Sequence, residues 1–244
     1  MRDSEKAASP GLGGLAEALR EALSRPLPGR SAQDLMLPAY RLGLPEEPEG
    51  RDGWRQAAVL VLLYPGGGPP AGAGSSPGAG RLAAADPLAG AGPLLFPLIE
   101  RSTEVGRHRG EVGLPGGALE ADETGEEAAF REAREELGLE AEAARPALLG
   151  ALSPLRVPPS GYEVRPYVAL LPRRPAFRPE PAEVAELFEA PLSRLLEPEA
   201  RGEEERLFGG RPFLVPFFGL GGRKVWGATA MILAELSAVL ESLR

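Results

Sequence analysis

Residues 117–139, GALEADETGEEAAFREAREELGL, constrain this chain more than any other stretch, because they prescribe both a helix and the charge it carries. Thr124 stands three residues before Glu127, a spacing in which each side chain can bind the other's backbone N–H. A helix is therefore expected to begin near Gly125. Gly138, just past Leu137, is a natural left-handed stop. At about 100° per residue, Glu132, Glu135 and Glu136 share one narrow sector. Phe130, Ala133 and Leu137 share another, suited to packing on a sheet. An acidic helix face can serve solubility alone. Yet like charges at these spacings repel by a few tenths of a kcal/mol per pair, and no cation is expected on that sector. A divalent ion would relieve them, and hard carboxylate oxygens suit Mg²⁺ or Mn²⁺. Arg131 is expected either to pair with Glu127 along the helix or to reach back to Glu123 and brace the preceding loop; a plain surface ion pair is the alternative. Gly116 and Gly117 allow a tight turn and close approach to a ligand or metal.

Written as G-x5-E-x7-R-E-A-x-E-E-x-G-L, this stretch resembles the signature of the Nudix hydrolases, with every fixed position filled. The resemblance implies an α/β fold, an α/β/α sandwich around a mixed sheet. It also implies Mg²⁺- or Mn²⁺-dependent cleavage of a nucleoside diphosphate linked to another moiety. Glu132, Glu135 and Glu136 would be catalytic and, with Gly117, would hold the metal, while Arg131 and Glu123 would be structural. Water would attack a phosphorus of the diphosphate; the carboxylate serving as base is left open.

Upstream, residues 98–117 read LIERSTEVGRHRGEVGLPGG and resemble the coenzyme A pyrophosphatase branch of that family. Arg101, Ser102, Gly110, Pro115, Gly116 and Gly117 fall in register, while Glu100, Gly106 and Leu114 depart from the pattern. VWGATA at residues 225–230 is similar to a second element of that branch, so the resemblance runs from about Arg55 to Leu240. It implies hydrolysis of coenzyme A or its thioesters to 4′-phosphopantetheine, or its acyl form, and adenosine 3′,5′-bisphosphate. Arg101, Arg107 and Arg109 are expected to bind substrate phosphates, which guanidinium forks suit; an ordinary basic loop is the alternative. Ser160 and Gly161, with Tyr162, are expected on the substrate side unless they form only a turn. His108 has no second His or Cys to make a metal centre.

A net charge of −8 and a pI near 5.0 argue against nonspecific nucleic-acid binding. No apolar run approaches the roughly 20 residues that span a bilayer, so no membrane partner is expected. The absence of cysteine excludes disulfides and thiolate sites. With no signal-peptide core at the start, a cytoplasmic enzyme is expected.

Residues 1–53 read as an N-terminal amphipathic helix, with Leu12, Leu15, Leu19 and Leu23 on one face, followed by a Pro-rich extended lead-in. The helix is expected to pack on the domain or on the second subunit of a homodimer. Residues 54–244 read as the hydrolase domain, interrupted by a flexible Gly/Pro-rich insertion at 65–92. Strands are expected at 56–64, 93–101, 147–152 and 162–171, with a rigid loop at 153–161. Glu183 or Glu186, in a strand-and-turn at 183–191, is placed to approach the metals or to remain a surface acid. A hairpin turning at Gly209 and Gly210 leads to a final amphipathic helix, entered through Trp226 as a core anchor.

Two other functions compete. One is hydrolysis of ADP-ribose, NADH or another nucleoside diphosphate derivative, favoured by Gly106 and Leu114. The other is a non-catalytic nucleotide-binding module, which would have lost carboxylates from the signature; none is lost here.

Overall fold

The computed structural model describes residues 10–42, 53–66, 92–102, 111–139 and 146–244. The organising element is β1 (Arg55–Pro65), whose sequence RQAAVLVLLYP is apolar on both faces, as a strand covered from both sides must be. It pairs in parallel with β7 (Tyr162–Leu170), in a register that sets Arg55 opposite Tyr162 and Leu63 opposite Leu170. On its other side it meets β2 (Leu94–Arg101) and β4 (Gly116–Ala118), both antiparallel. β3 (Val112–Gly113) and β8 (Val184–Pro191) pair with β2, and β5 (Ala147–Ala151) and β6 (Leu155–Val157) pair with β7. Among the described residues these eight strands form one mixed sheet. A second sheet of β9 (Arg201–Phe208), β10 (Arg211–Leu220) and β11 (Arg223–Trp226) is antiparallel throughout.

The alternation of β1 divides two cores. Ala58, Leu60, Leu62 and Tyr64 pack with Ala128, Ala129, Ala133 and Leu137 of α3 (Gly125–Leu137). Val61 and Leu63 face the opposite way, into a cluster with Leu12, Leu15 and Leu19 of α1 (Pro10–Ser24) and with α4 (Gly227–Glu241). Helices therefore cover both faces of the sheet, the α/β/α arrangement. Each of those buried leucines contributes about 1.5–3 kcal/mol, which seats α1 on the domain.

Three expectations change. The segment after α1 is not simply extended: it forms α2 (Arg30–Gln33) and single turns at Asp34–Met36 and Ala39–Arg41. Its anchor is Glu235, fully buried on α4, which accepts from the Gly29 N–H at 3.0 Å, Gln33 Nε2 at 3.0 Å and the Ser153 N–H at 3.2 Å. The loop expected at 153–161 contains β6, whose Leu155 and Val157 pair with Val164 and Tyr162. Finally, α4 is not amphipathic: residues 230–237 are buried without interruption, Glu235 and Ser237 included, because both α1 and the second sheet pack on it. Most of the Gly/Pro-rich insertion, residues 67–91, lies outside the described residues. Among the described residues no helix is long and apolar enough to cross a membrane.

Candidate active site

α3 begins where its spacing predicts. Thr124 Oγ1 accepts the Glu127 N–H at 3.3 Å, and Glu127 Oε2 accepts the Thr124 N–H at 2.9 Å. Gly138 closes the helix in the left-handed region, at φ 62°. The cap commits the Glu127 carboxylate, so Arg131 turns elsewhere. Its Nε and Nη2 donate to the two oxygens of Glu123 at 2.9 and 3.0 Å, and Nη2 also reaches the Ala118 carbonyl at 3.1 Å. This fork ties the loop after β4 to the helix.

The acidic sector is not free of cations, contrary to the helical-wheel expectation. Arg131 Nη1 donates to Glu132 and to Glu135, each at 3.0 Å. Arg101 comes from β2 to within 3.4 Å of Glu136, while its Nη2 donates to the Gly116 carbonyl at 2.8 Å. The Arg131–Glu135 contact is an i,i+4 pair within the helix, whereas Arg101 reaches Glu136 only through tertiary folding.

The three glutamates are distributed unequally. Glu136 is 1% exposed and accepts the Gly116 N–H at 2.8 Å. Burial pushes its carboxyl up to about 7; Arg101 and the Gly116 N–H pull the other way, and Glu132 and Glu183 add repulsion. Glu132 is half-buried and also raised, by burial first, with Arg131 opposing and Glu135 and Glu183 reinforcing. Glu135 lies at the rim, its side chain 56% exposed. Gly117 faces Glu132 so closely that a Cβ there would stand 2.2 Å from Oε1.

Among the described residues no three acidic or histidine side chains are gathered into a ready metal cage. Arg131 draws Glu132 and Glu135 to itself, and Glu136 turns to Gly116. The donor set nevertheless fits a hard divalent cation: two shielded carboxylates, both raised by burial, converge on a turn that only glycine can occupy.

The glycine turn that Glu132 and Glu136 meet lines a cleft of about 920 Å³. Arg101, Gly116, Gly117 and Glu183 line it on the acidic side, with Arg55, Ser160 and Tyr162 further along. Gly161 does not line it; its carbonyl instead accepts the Arg55 N–H at 3.1 Å. Of the two acids weighed near β8, Glu183 faces the cleft, held there by its carbonyl accepting the Ser102 N–H at 2.8 Å. Glu186 pairs with Arg223 instead. Leu114, where the coenzyme A branch pattern has Phe, is buried and contributes to the wall. Arg107 and Arg109, with Gly106 and His108, lie outside the described residues.

Several residues that line the cleft were not placed there by sequence. Tyr40 stacks on Phe208 with ring centroids 3.8 Å apart, so the N-terminal segment builds one wall. Trp226 lines that wall half-buried, with the Arg206 guanidinium 4.2 Å from its ring, and is not the core anchor expected of it. Arg55 lies 4.0 Å over the Tyr162 ring. The β1–β7 register joins those two, a pairing between residues more than a hundred positions apart that no local signal encodes.

The NUDIX domain pattern matches residues 89–208. The chain is 34% identical over 149 residues to an uncharacterized Nudix hydrolase, NudL, of Photorhabdus laumondii, across 57% of this chain and 74% of that protein. It is 37% identical over 142 residues to the human mitochondrial coenzyme A diphosphatase NUDT8, across 57% and 59% respectively. It is 36% identical over 151 residues to Nudix hydrolase 15, mitochondrial, of Arabidopsis thaliana, across 58% and 51%. The chain thus matches about half the length of this plant relative.

Proposed function

This chain belongs to the Nudix hydrolase family, and we propose that it hydrolyses the pyrophosphate bond of coenzyme A or its thioesters with Mg²⁺ or Mn²⁺. The products would be 4′-phosphopantetheine, or its acyl form, and adenosine 3′,5′-bisphosphate. One observation carries the reading: Glu136 and Glu132 meet the Gly116–Gly117 turn, which with Arg101 lines a cleft of nucleotide size. The likeness to a relative named as a coenzyme A diphosphatase supports the choice of substrate.

Glu132, Glu136 and the Gly117 backbone would hold the ion, with Glu135 contributing from the rim. When bound, the ion supplies positive charge to the diphosphate and makes water more acidic. The remaining work belongs to the chain. Arg101 offers its guanidinium to phosphate oxygens at the same place where it steadies Glu136. Glu183, across the cleft and close enough to raise the Glu132 and Glu136 carboxyls, takes the proton of the attacking water. The water oxygen bonds to phosphorus, the bridging P–O bond breaks, and the second phosphate leaves with the electron pair. Arg131 and Glu123 keep the Gly117 loop against α3 throughout.

Incubation with coenzyme A and Mg²⁺ or Mn²⁺, read by mass, tests this. The two named products are expected from the wild type, and Glu136→Gln should lower turnover by orders of magnitude. Intact coenzyme A after prolonged incubation, or near-normal turnover by a folded Glu136→Gln protein, would contradict it.

A further inference from the structure

Arg55 begins β1, and its guanidinium is held in two ways. It lies 4.0 Å over the Tyr162 ring, and Nη2 donates to the Ser160 carbonyl at 2.8 Å. Among the described residues no carboxylate pairs with it. Arg101, by contrast, shares its charge with Glu136 and donates to the Gly116 carbonyl at the glycine turn itself. The ring contact and the Ser160 hydrogen bond together hold the Arg55 fork in place. The other donors and the whole positive charge remain available to the cleft that Arg55 lines.

Position then limits what this cation can meet. Ala58 pairs with Gly117, at the turn facing the carboxylates, and Arg55 is three residues back along the same strand. At about 3.3 Å per residue that is roughly 10 Å from the turn. A diphosphate held at the Gly116–Gly117 turn lies beyond the fork, whereas a second anionic group across a nucleoside lies within its reach. A preoriented guanidinium with free paired donors matches the oxygens of a phosphate monoester.

We propose that Arg55, positioned by Tyr162 and Ser160, is a specificity residue that binds a phosphate monoester on the nucleoside of the substrate, separate from the diphosphate that is cleaved. This deepens the coenzyme A reading and rests on it, because that substrate carries such a group.

The test compares adenosine 3′,5′-bisphosphate with adenosine 5′-monophosphate, by calorimetric binding to the full chain and without turnover. Wild-type protein should bind the bisphosphate about tenfold to a hundredfold more tightly. Arg55→Ala should bring the two affinities together while leaving that for the monophosphate within about twofold. Arg55→Lys, which keeps the charge without the fork, should retain part of the preference and guards against a folding defect. A parallel kinetic arm should show kcat/KM for coenzyme A falling in Arg55→Ala with little change for dephospho-coenzyme A. A bracing role for Arg55 alone would weaken both ligands equally, and that result overturns the proposal. So does a wild type with no preference, or an Arg55→Ala protein that keeps it. Failure of the wild type to cleave coenzyme A would instead count against the functional reading, leaving the binding comparison to decide Arg55.

Discussion

Replacing Glu136 by Gln should make the metal-free protein more stable in alkali while disabling it. Burial raises the Glu136 carboxyl from 4.5 to about 7, with Arg101 and the Gly116 N–H unable to offset it. The folded state therefore binds this proton more tightly than the unfolded chain. Below pH 4.5 both states are protonated and the site carries no penalty; as pH rises through 7 the folded state loses stability. The full difference between 4.5 and about 7 corresponds to about 3 kcal/mol. Gln keeps an oxygen to accept the Gly116 N–H and does not titrate. Any fixed packing cost of the change is the same at every pH, so the discriminating quantity is the slope. Urea unfolding of chelator-treated wild type and variant should show the variant gaining on the wild type by about 2–3 kcal/mol between pH 5 and pH 8.5. Excess Mg²⁺ or Mn²⁺ should stabilise the wild type more than the variant, because an ion that binds only the native state adds to its stability. A difference between the two proteins that does not change with pH would refute the reasoning, since the burial of Glu136 would then carry no electrostatic consequence.

Two further outcomes are expected. Gly117→Ala sets a methyl 2.2 Å from Glu132 Oε1, so the carboxylate or the turn must shift by an ångström or more. Turnover should fall about a hundredfold, with coenzyme A binding in metal-free buffer little changed; normal kcat would show that the approach of Glu132 to the turn is not needed. Replacing residues 67–91 with a short Gly-Ser link should leave Tm within a few degrees. Tyr64 and Pro65 already pair with Leu95 and Leu94, the Gly66 N–H binds the Pro93 carbonyl at 2.7 Å, and a shorter loop closes at lower entropy. A large drop in Tm would show that the segment packs on the domain.

What the sequence discloses is set by the range of the interaction. The capping box, the Gly138 stop and the shared sector of Glu132 and Glu136 follow from spacings of three and four residues, and the structure has all of them. β1 is legible from its apolar run, and the turn at Gly209 and Gly210 from its residue type. Apart from the i,i+4 contact of Arg131 with Glu135, the arrangements that differ from expectation or were not foreseen are made by distant partners. Arg101 reaches Glu136 only because β2 lies alongside the β1–β4 pair, and Glu183 faces the cleft only because β8 joins β2. The turns after α1 depend on Glu235, about two hundred positions away, and the same burial erases the polar face expected of α4. Trp226 looks like a core residue by type, yet the second sheet carries it into the cleft wall beside Arg206.

The substrate assignment is tested most directly by kcat/KM for coenzyme A, dephospho-coenzyme A and ADP-ribose, measured side by side with Mg²⁺ and with Mn²⁺. Coenzyme A should exceed both of the others, dephospho-coenzyme A by about tenfold to a hundredfold, the contribution of one charge-assisted contact to the extra phosphate. Faster turnover of ADP-ribose than of coenzyme A would contradict the account.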